Sequence, residues 1–132
     1  MTGVLVSVIV ELRMIITIMK ALSDRHRLYI LASCSQDECH VCDITASCEL
    51  SQPTVSAHLK VLKESGLLIF RANKTLNAYY INPELSPDIM SVVKSILSYV
   101  YRDPQWQTFH ERLLRLKEIR RMKEDYERKL FL

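Results

Sequence analysis

Apolar and polar positions follow a helical period over most of this 132-residue chain. The clearest stretch runs from Ser51, a typical N-cap residue, to Gly66, which favours a left-handed helix stop. Between them, Val55, Leu59 and Leu62 recur at i, i+4 and i+7 and so share one face of a helix. The pattern predicts an amphipathic helix with one packed side and one polar, slightly basic side.

Two short apolar, aromatic-rich runs at 67–70 and 79–81 follow this helix, separated by a polar, basic segment with turn-prone asparagines. They predict a β-hairpin. Upstream, Cys42–Leu50 predicts a short helix, which a tight connection joins to the helix that starts at Ser51. The predicted fold is therefore mainly α, a winged helix-turn-helix with the helix-turn-helix at 41–66 and a single hairpin wing at 67–82.

The N-terminal residues 1–22 are apolar on almost every face. A helix of this kind must be covered on more than one side, and in a domain this small a second copy of the chain would supply the cover. The β-branched run at 4–10 is also compatible with a strand or a disordered extension. Ser23 predicts the N-cap of the next helix, which extends to about Ser33.

Two further helices are predicted to start at Ser86 and Asp103, each of which precedes a proline. The first carries a wide apolar stripe from Ile89 to Val100 that suits pairing with an equivalent helix. The second begins apolar and ends in a dense run of charges. With no internal repeat or linker, the sequence predicts one domain in which 1–22 and 84–132 form dimerisation helices.

The net charge of +3 is modest, but the positive charge is concentrated in residues 51–83 and 105–132. This distribution is typical of an electrostatic footprint on phosphates. Glu11 and Arg13 interrupt the apolar N-terminus, and no basic start or cleavage site for a signal peptide is present. We therefore expect a cytoplasmic protein with no membrane partner.

Short amide and hydroxyl side chains near a helix N-terminus, followed by lysines, suit insertion into the DNA major groove. Glutamine reads adenine edges, hydroxyls read several bases and lysines contact phosphates. Base readout is expected from Gln52, Thr54 and Ser56, phosphate contact from Lys60, Lys63, Arg71 and Lys74, and a groove or interface role from His58.

Four segments of the chain resemble, in order, the ArsR/SmtB family of bacterial transcriptional repressors. They are ALSDRHRLYIL from Ala21, ECHVCDI from Glu38, SQPTVSAHLKVLKESGLL from Ser51 and AYYI from Ala78. The resemblance implies a homodimer on double-stranded operator DNA, with the two reading helices in successive major grooves. The chain departs from the family at Ala57, where relatives often carry Arg or His, and in the tail beyond Asp103.

In the metal-sensing branch of that family, a cysteine pair opens the first helix of the helix-turn-helix. Here Cys42 keeps the second position, His40 occupies the first, and Cys39 lies one residue earlier. Thr45 replaces the thiol that arsenic-responsive relatives can place one turn later. The resemblance implies an ion site that contains Cys39 and Cys42, with His40 as a possible further ligand.

Cys34, across a polar turn, is a better candidate for the third ligand than Cys48, which would lie on a different face. As(III) and Sb(III) prefer three thiolates, whereas Cd, Zn and Pb accept thiolates with an imidazole. The predicted function is a repressor released from its operator by such an inducer ion, with no required cofactor. All four cysteines are also compatible with a role as small buried hydrophobic residues.

Two alternatives keep the cysteines in a different role. Cys39 and Cys42 are compatible with a redox or persulfide switch on the same DNA-binding dimer. As a Cys-x-x-Cys pair they would also suit a thiol–disulfide oxidoreductase, but that centre needs a βαβ setting, and the surrounding sequence is helical. We expect no enzymatic activity.

Overall fold

A computed structural model describes residues 2–72 and 77–131 of the chain. Within these ranges the chain forms helices around one small antiparallel sheet. In chain order the elements are α1 (Thr2–Ala21), α2 (Arg25–Gln36), β1 (Cys39–His40), α3 (Val41–Ser47), α4 (Gln52–Glu64), β2 (Leu68–Ala72), β3 (Asn77–Ile81), α5 (Pro87–Val100) and α6 (Pro104–Leu130).

The core lies where α2 meets α4 and α5 and where α3 packs on α4, around the fully buried side chains of Ile30, Leu31, Ile44, Leu59 and Leu97. Burial of aliphatic side chains of this size stabilises the fold by roughly 1.5–3 kcal/mol each. This core fixes one side of α4 and leaves its other side facing solvent.

The predicted helix starts at Ser51, Ser86 and Asp103 are confirmed, since each side chain accepts a hydrogen bond from an amide in the first turn. The prediction for α2 is wrong by one residue. Asp24 is the N-cap, accepting from the Arg27 amide at 3.0 Å, whereas the Ser23 hydroxyl donates to the Lys20 carbonyl and helps to end α1. A serine and an aspartate in succession offer two capping side chains, and the sequence pattern does not rank them.

The predicted hairpin is confirmed as β2 and β3, which pair antiparallel from Leu68 opposite Ile81 to Ala72 opposite Asn77. The prediction that the sheet is only a hairpin is wrong within the described residues. Strand β1 pairs with β3 and gives the order β1-β3-β2. A strand of two residues is too short to show an alternation of apolar and polar side chains in the sequence. It is defined only by its pairing with β3.

The N-terminal segment is helical, so the strand and disordered alternatives are wrong for residues 2–21. Apart from the buried Ile18, the large apolar side chains of α1 from Val4 to Met19 are exposed by 41–69% in the single chain. By length and composition α1 would also suffice to cross a membrane, and only 6% of its most apolar 18 residues are buried. Helices in the cores of soluble proteins and signal sequences can have the same length and composition.

Helix α6 extends the chain beyond the region of family resemblance and packs on α2 and α3 of the same chain. Trp106, Phe109 and Leu113 form its buried face. Two charges of this tail are not simply solvated, since Lys117 is 6% exposed and Arg120 pairs with the buried Asp43.

The docking of α6 predicts unequal effects at two adjacent leucines. Leu113 is 2% exposed and Leu114 is 47% exposed. Leu113→Ala should lower the free energy of unfolding by about 2–5 kcal/mol because it leaves a cavity between α6 and the core. Leu114→Ala should change it by less than about 0.5 kcal/mol. Urea unfolding at one fixed protein concentration measures both, and equal losses would contradict the packing.

Candidate nucleic-acid interface and cysteine site

Helix α4 presents a polar face to solvent opposite its buried residues Val55, Leu59 and Leu62. The Ser51 hydroxyl oxygen accepts from the Thr54 amide at 3.4 Å and lies 2.8 Å from the Thr54 hydroxyl. The cap therefore orders the first turn, where a helix in the major groove makes its base contacts. The exposed side chains of this face are Gln52, Thr54, Ser56, Lys60 and Lys63.

The wing adds positive charge beside this face. Arg71 is exposed near the end of β2, with its guanidinium 5.0 Å from the centre of the Tyr80 ring. The Lys63 ammonium lies 5.3 Å from the centre of the Phe70 ring, so α4 and the wing meet through a cation–π contact. Lys74, also predicted to contact phosphates, lies outside the described residues.

His58 does not belong to the exposed face of α4. Its side chain is 15% exposed, and Nδ1 lies 3.3 Å from Nη1 of Arg27 and 3.9 Å from Asp24. Burial lowers the pKa of His58. The Asp24 carboxylate opposes this shift, and the Arg27 charge adds to it. A neutral imidazole accepts from Arg27, so His58 joins α4 to α2. We therefore leave it out of the proposed DNA contacts.

The structure separates the cysteines that the sequence grouped. Cys34 and Cys39 are buried, Cys48 is half-buried and Cys42 is exposed. The neighbouring Cys39 thiol, together with burial, raises the pKa of Cys34 well above its usual value. Cys34 and Cys39 thus lie near each other in the core, whereas Cys42 is exposed. Within residues 2–72 and 77–131, no three potential ligands are close enough to hold a metal ion.

A cavity of about 490 Å³ opens beside Cys42 and is lined by His40, Thr45, Gln52 and Asn77 as well. His40 is 6% exposed, and its Nδ1 has no hydrogen-bond partner among the described residues. Burial and the nearby Arg120 charge lower the pKa of His40, which favours the neutral imidazole that binds metal ions. The cavity therefore combines a thiol, a neutral imidazole and the first residue of α4.

Two cations of α6 contact the residues on either side of Cys39 and His40, and these contacts were not predicted from the sequence. The Lys117 ammonium is 2.6 Å from a carboxylate oxygen of Asp37, and Arg120 Nε donates to Asp43 at 3.1 Å. The Lys117 hydrogen bond lowers the pKa of Asp37. The sequence does contain a signal for the burial of Lys117, because this residue lies four positions after Leu113 and so continues the buried face of the helix.

The fold and the exposed face of α4 define a winged helix-turn-helix DNA-binding regulator. The family description "Bacterial regulatory protein, arsR family" matches residues 24–69. The chain is 35% identical over 91 residues to the arsenical resistance operon repressor of Escherichia coli, an overlap that covers 68% of this chain and 74% of that protein. The chain belongs to the arsR family of bacterial transcriptional repressors.

Two further relatives place it within this family. The arsenical resistance operon repressor of Staphylococcus xylosus is 41% identical over 68 residues, which is 52% of this chain. The chain spans 65% of that protein's length, just under two thirds. The homodimeric winged helix-turn-helix DNA-binding domain of a possible ArsR-family transcriptional regulator from Mycobacterium bovis is 26% identical, with a TM-score of 0.59, covering 72% of this chain and 85% of that one. The family consists of DNA-binding regulators rather than enzymes.

The different environments of the thiols predict one fast-reacting cysteine. Cys42 should be alkylated first by iodoacetamide at neutral pH, because Cys34 and Cys39 are buried and burial raises the pKa of Cys48 to about 11. Burial and Asp43 raise the pKa of Cys42, so its rate should increase with pH. Mass spectrometry of timed samples measures the order. Cys42→Ser should remove the fast phase, and a fast phase that remains would contradict the assignment.

Proposed function

We propose that this chain is a homodimeric repressor that binds double-stranded operator DNA with α4 in the major groove. The observation that carries this proposal is the capped, exposed polar face of α4 next to a basic wing, on a helix whose other side is fixed in the core. Gln52 and Ser56 would read base edges, and Lys60, Lys63 and Arg71 would contact phosphates. We expect the protein to act in the cytoplasm, where its DNA lies.

The exposed apolar surface supports the dimer. Ile15 and Met19 of α1 and Val92 of α5 border one apolar cavity of about 160 Å³ between these two helices. Soluble monomers rarely leave apolar patches of this extent in water. A two-fold partner would cover α1 and α5 together, and the similar domain from Mycobacterium bovis is described as homodimeric.

The inducer would be a thiophilic ion bound next to the helix-turn-helix. Relatives of this chain are named arsenical resistance operon repressors. The available donors are the exposed Cys42 and the neutral His40 in one cavity, whereas Cys34 and Cys39 are buried in the core. This set fits Cd, Zn or Pb, which accept mixed sulfur and nitrogen ligands, better than As(III) or Sb(III), which need three thiolates.

A redox-responsive repressor is the second candidate, and the burial of Cys34 and Cys39 as neighbours in one core cluster favours it. Oxidation by a peroxide would join the two thiols in a disulfide, with loss of two protons and two electrons as the peroxide is reduced to water or alcohol. This pair differs from the Cys39 and Cys42 pair expected from sequence. The new bond would connect the end of α2 to β1, directly before α3.

DNA readout predicts different effects on α4 and on the wing. Gln52→Ala should reduce the preference for the operator over random duplex DNA by about 1–3 kcal/mol, because a base contact is lost. Arg71→Ala should weaken binding to all DNA about equally and flatten the salt dependence, because a phosphate contact is lost. Fluorescence anisotropy at several salt concentrations measures both variants. The reverse pattern would overturn the assignment.

The inducer proposal predicts that Cys42→Ser abolishes release from the operator and leaves DNA binding without the ion unchanged. In the wild type, an ion should weaken operator binding by about 5- to 150-fold, the range of typical coupling energies. Release should need less ion at higher pH, because the Cys42 thiol must lose its proton to bind.

Cadmium, arsenite and antimonite are to be titrated separately into the protein–operator complex. Cys48→Ser is the matched control and should respond like the wild type. His40→Ala should impair the response to cadmium more than the response to arsenite, because the imidazole suits the divalent ion. Undiminished release of Cys42→Ser by all three ions would refute the site. A response to peroxide that Cys34→Ser abolishes would favour the redox candidate instead.

A further inference from the structure

The C-terminal helix α6 reaches the segment Asp37–Asp43, which contains β1 and the start of α3, through two cations. We propose that Lys117 and Arg120 are positioning residues that hold both ends of this segment, and thereby hold α3 and α4 in the arrangement that binds DNA. The inference rests on the proposed operator binding and adds to it a role for the tail of the chain.

Lys117 fixes the first end of the segment. Its ammonium lies 2.6 Å from Oδ2 of Asp37 and donates to the backbone carbonyl of Glu38 at 2.6 Å. The side chain is almost fully buried, although lysine is rarely buried without a partner. Both contacts come from the two residues that precede β1. The cation therefore ties the turn after α2 to α6.

Arg120 fixes the second end. Its Nε donates to Oδ2 of Asp43 at 3.1 Å, and Nη2 lies 3.0 Å from the same oxygen without hydrogen-bond geometry. Glu124, one turn further along α6, is 3.4 Å from Nη1 and holds the guanidinium in place. Asp43 is buried at the start of α3, and a buried carboxylate without its counter-charge is strongly unfavourable. Arg120 therefore determines where Asp43 can sit.

Displacement of α3 would be passed on to α4. The two helices pack on each other, and only residues 48–51 connect them. Ile44 of α3 and Val55 of α4 are fully buried in the same core cluster. A packed core does not deform continuously, so a shift at Asp43 would change the orientation of the exposed face of α4.

Arg120→Gln tests the proposal, with Arg115→Gln as the matched control. Arg115 is exposed on the same helix and only approaches Glu111 at 3.9 Å. Arg120→Gln should weaken operator binding about tenfold, within the range for coupling through packed networks, and leave binding to random duplex DNA within about twofold. Arg115→Gln should leave both unchanged. Titration at protein concentrations far above the dissociation constant gives the active fraction, which should stay that of the wild type.

A purely structural role is tested by the double variant Asp43→Asn, Arg120→Gln, which removes both charges of the ion pair together. Its urea midpoint should recover towards that of the wild type while operator binding remains weak, because the positioning contact is still absent. Arg120→Lys, which keeps the charge, should regain part of the operator affinity. If Arg120→Gln does not fold, operator binding by the double variant and by Lys117→Met is measured instead.

The proposal is overturned if Arg120→Gln and the double variant bind the operator like the wild type. It is equally overturned if operator affinity recovers together with the urea midpoint, because the residue would then act through stability only. Failure of the wild-type protein to prefer any duplex sequence would refute the proposed function itself, which is a separate outcome.

Discussion

A helix of seven residues cannot maintain its own shape in water, and the DNA-facing side of this chain depends on one. Helix α3 is held from three directions. Ile44 anchors it in the core, α4 packs on one side, and α6 packs on another through the ion pair of Arg120 with Asp43. Because α4 follows α3 after four residues, whatever moves α3 also moves the side chains that are proposed to enter the major groove. The orientation of α4 is therefore a tertiary property.

The same dependence explains why a sensor site would lie at the start of α3. The cavity with Cys42 and His40 also contains Gln52, the first residue of α4, so a ligand there contacts both helices of the helix-turn-helix. Asp43 links that cavity to α6, since its Oδ1 is 3.8 Å from the Cys42 sulfur and its Oδ2 contacts Arg120. The cavity thus includes the Cys42 thiol and Gln52, which is proposed to read a base edge, and it lies beside the ion pair of Asp43 with Arg120. Energetic coupling between a bound ion and the operator would need no structural path beyond these residues.

Local signals in the sequence were sufficient for the helix-turn-helix and the wing, because caps, periodicity and the Gly66 turn all agree there. They failed where distant residues decide. Strand β1 exists only by pairing with β3, and Cys39 is buried in the core near Cys34, whereas Cys42 is exposed. Spacing of i and i+3 assumes one continuous helix, but Cys39 lies in a strand and Cys42 in α3. The contacts of Lys117 and Arg120 span about 80 residues and leave only a weak mark on the sequence.

In the proposed homodimer, two copies of this chain present their α4 helices together to one DNA duplex. Sedimentation equilibrium of the protein with a duplex selected for tight binding measures the number of chains per duplex directly. We expect two chains on a site made of two inverted half-sites about 10 base pairs apart, or a multiple of that. We also expect a mass of two chains for the free protein at micromolar concentration. One chain per duplex, together with a monomeric free protein, would contradict the proposed dimer.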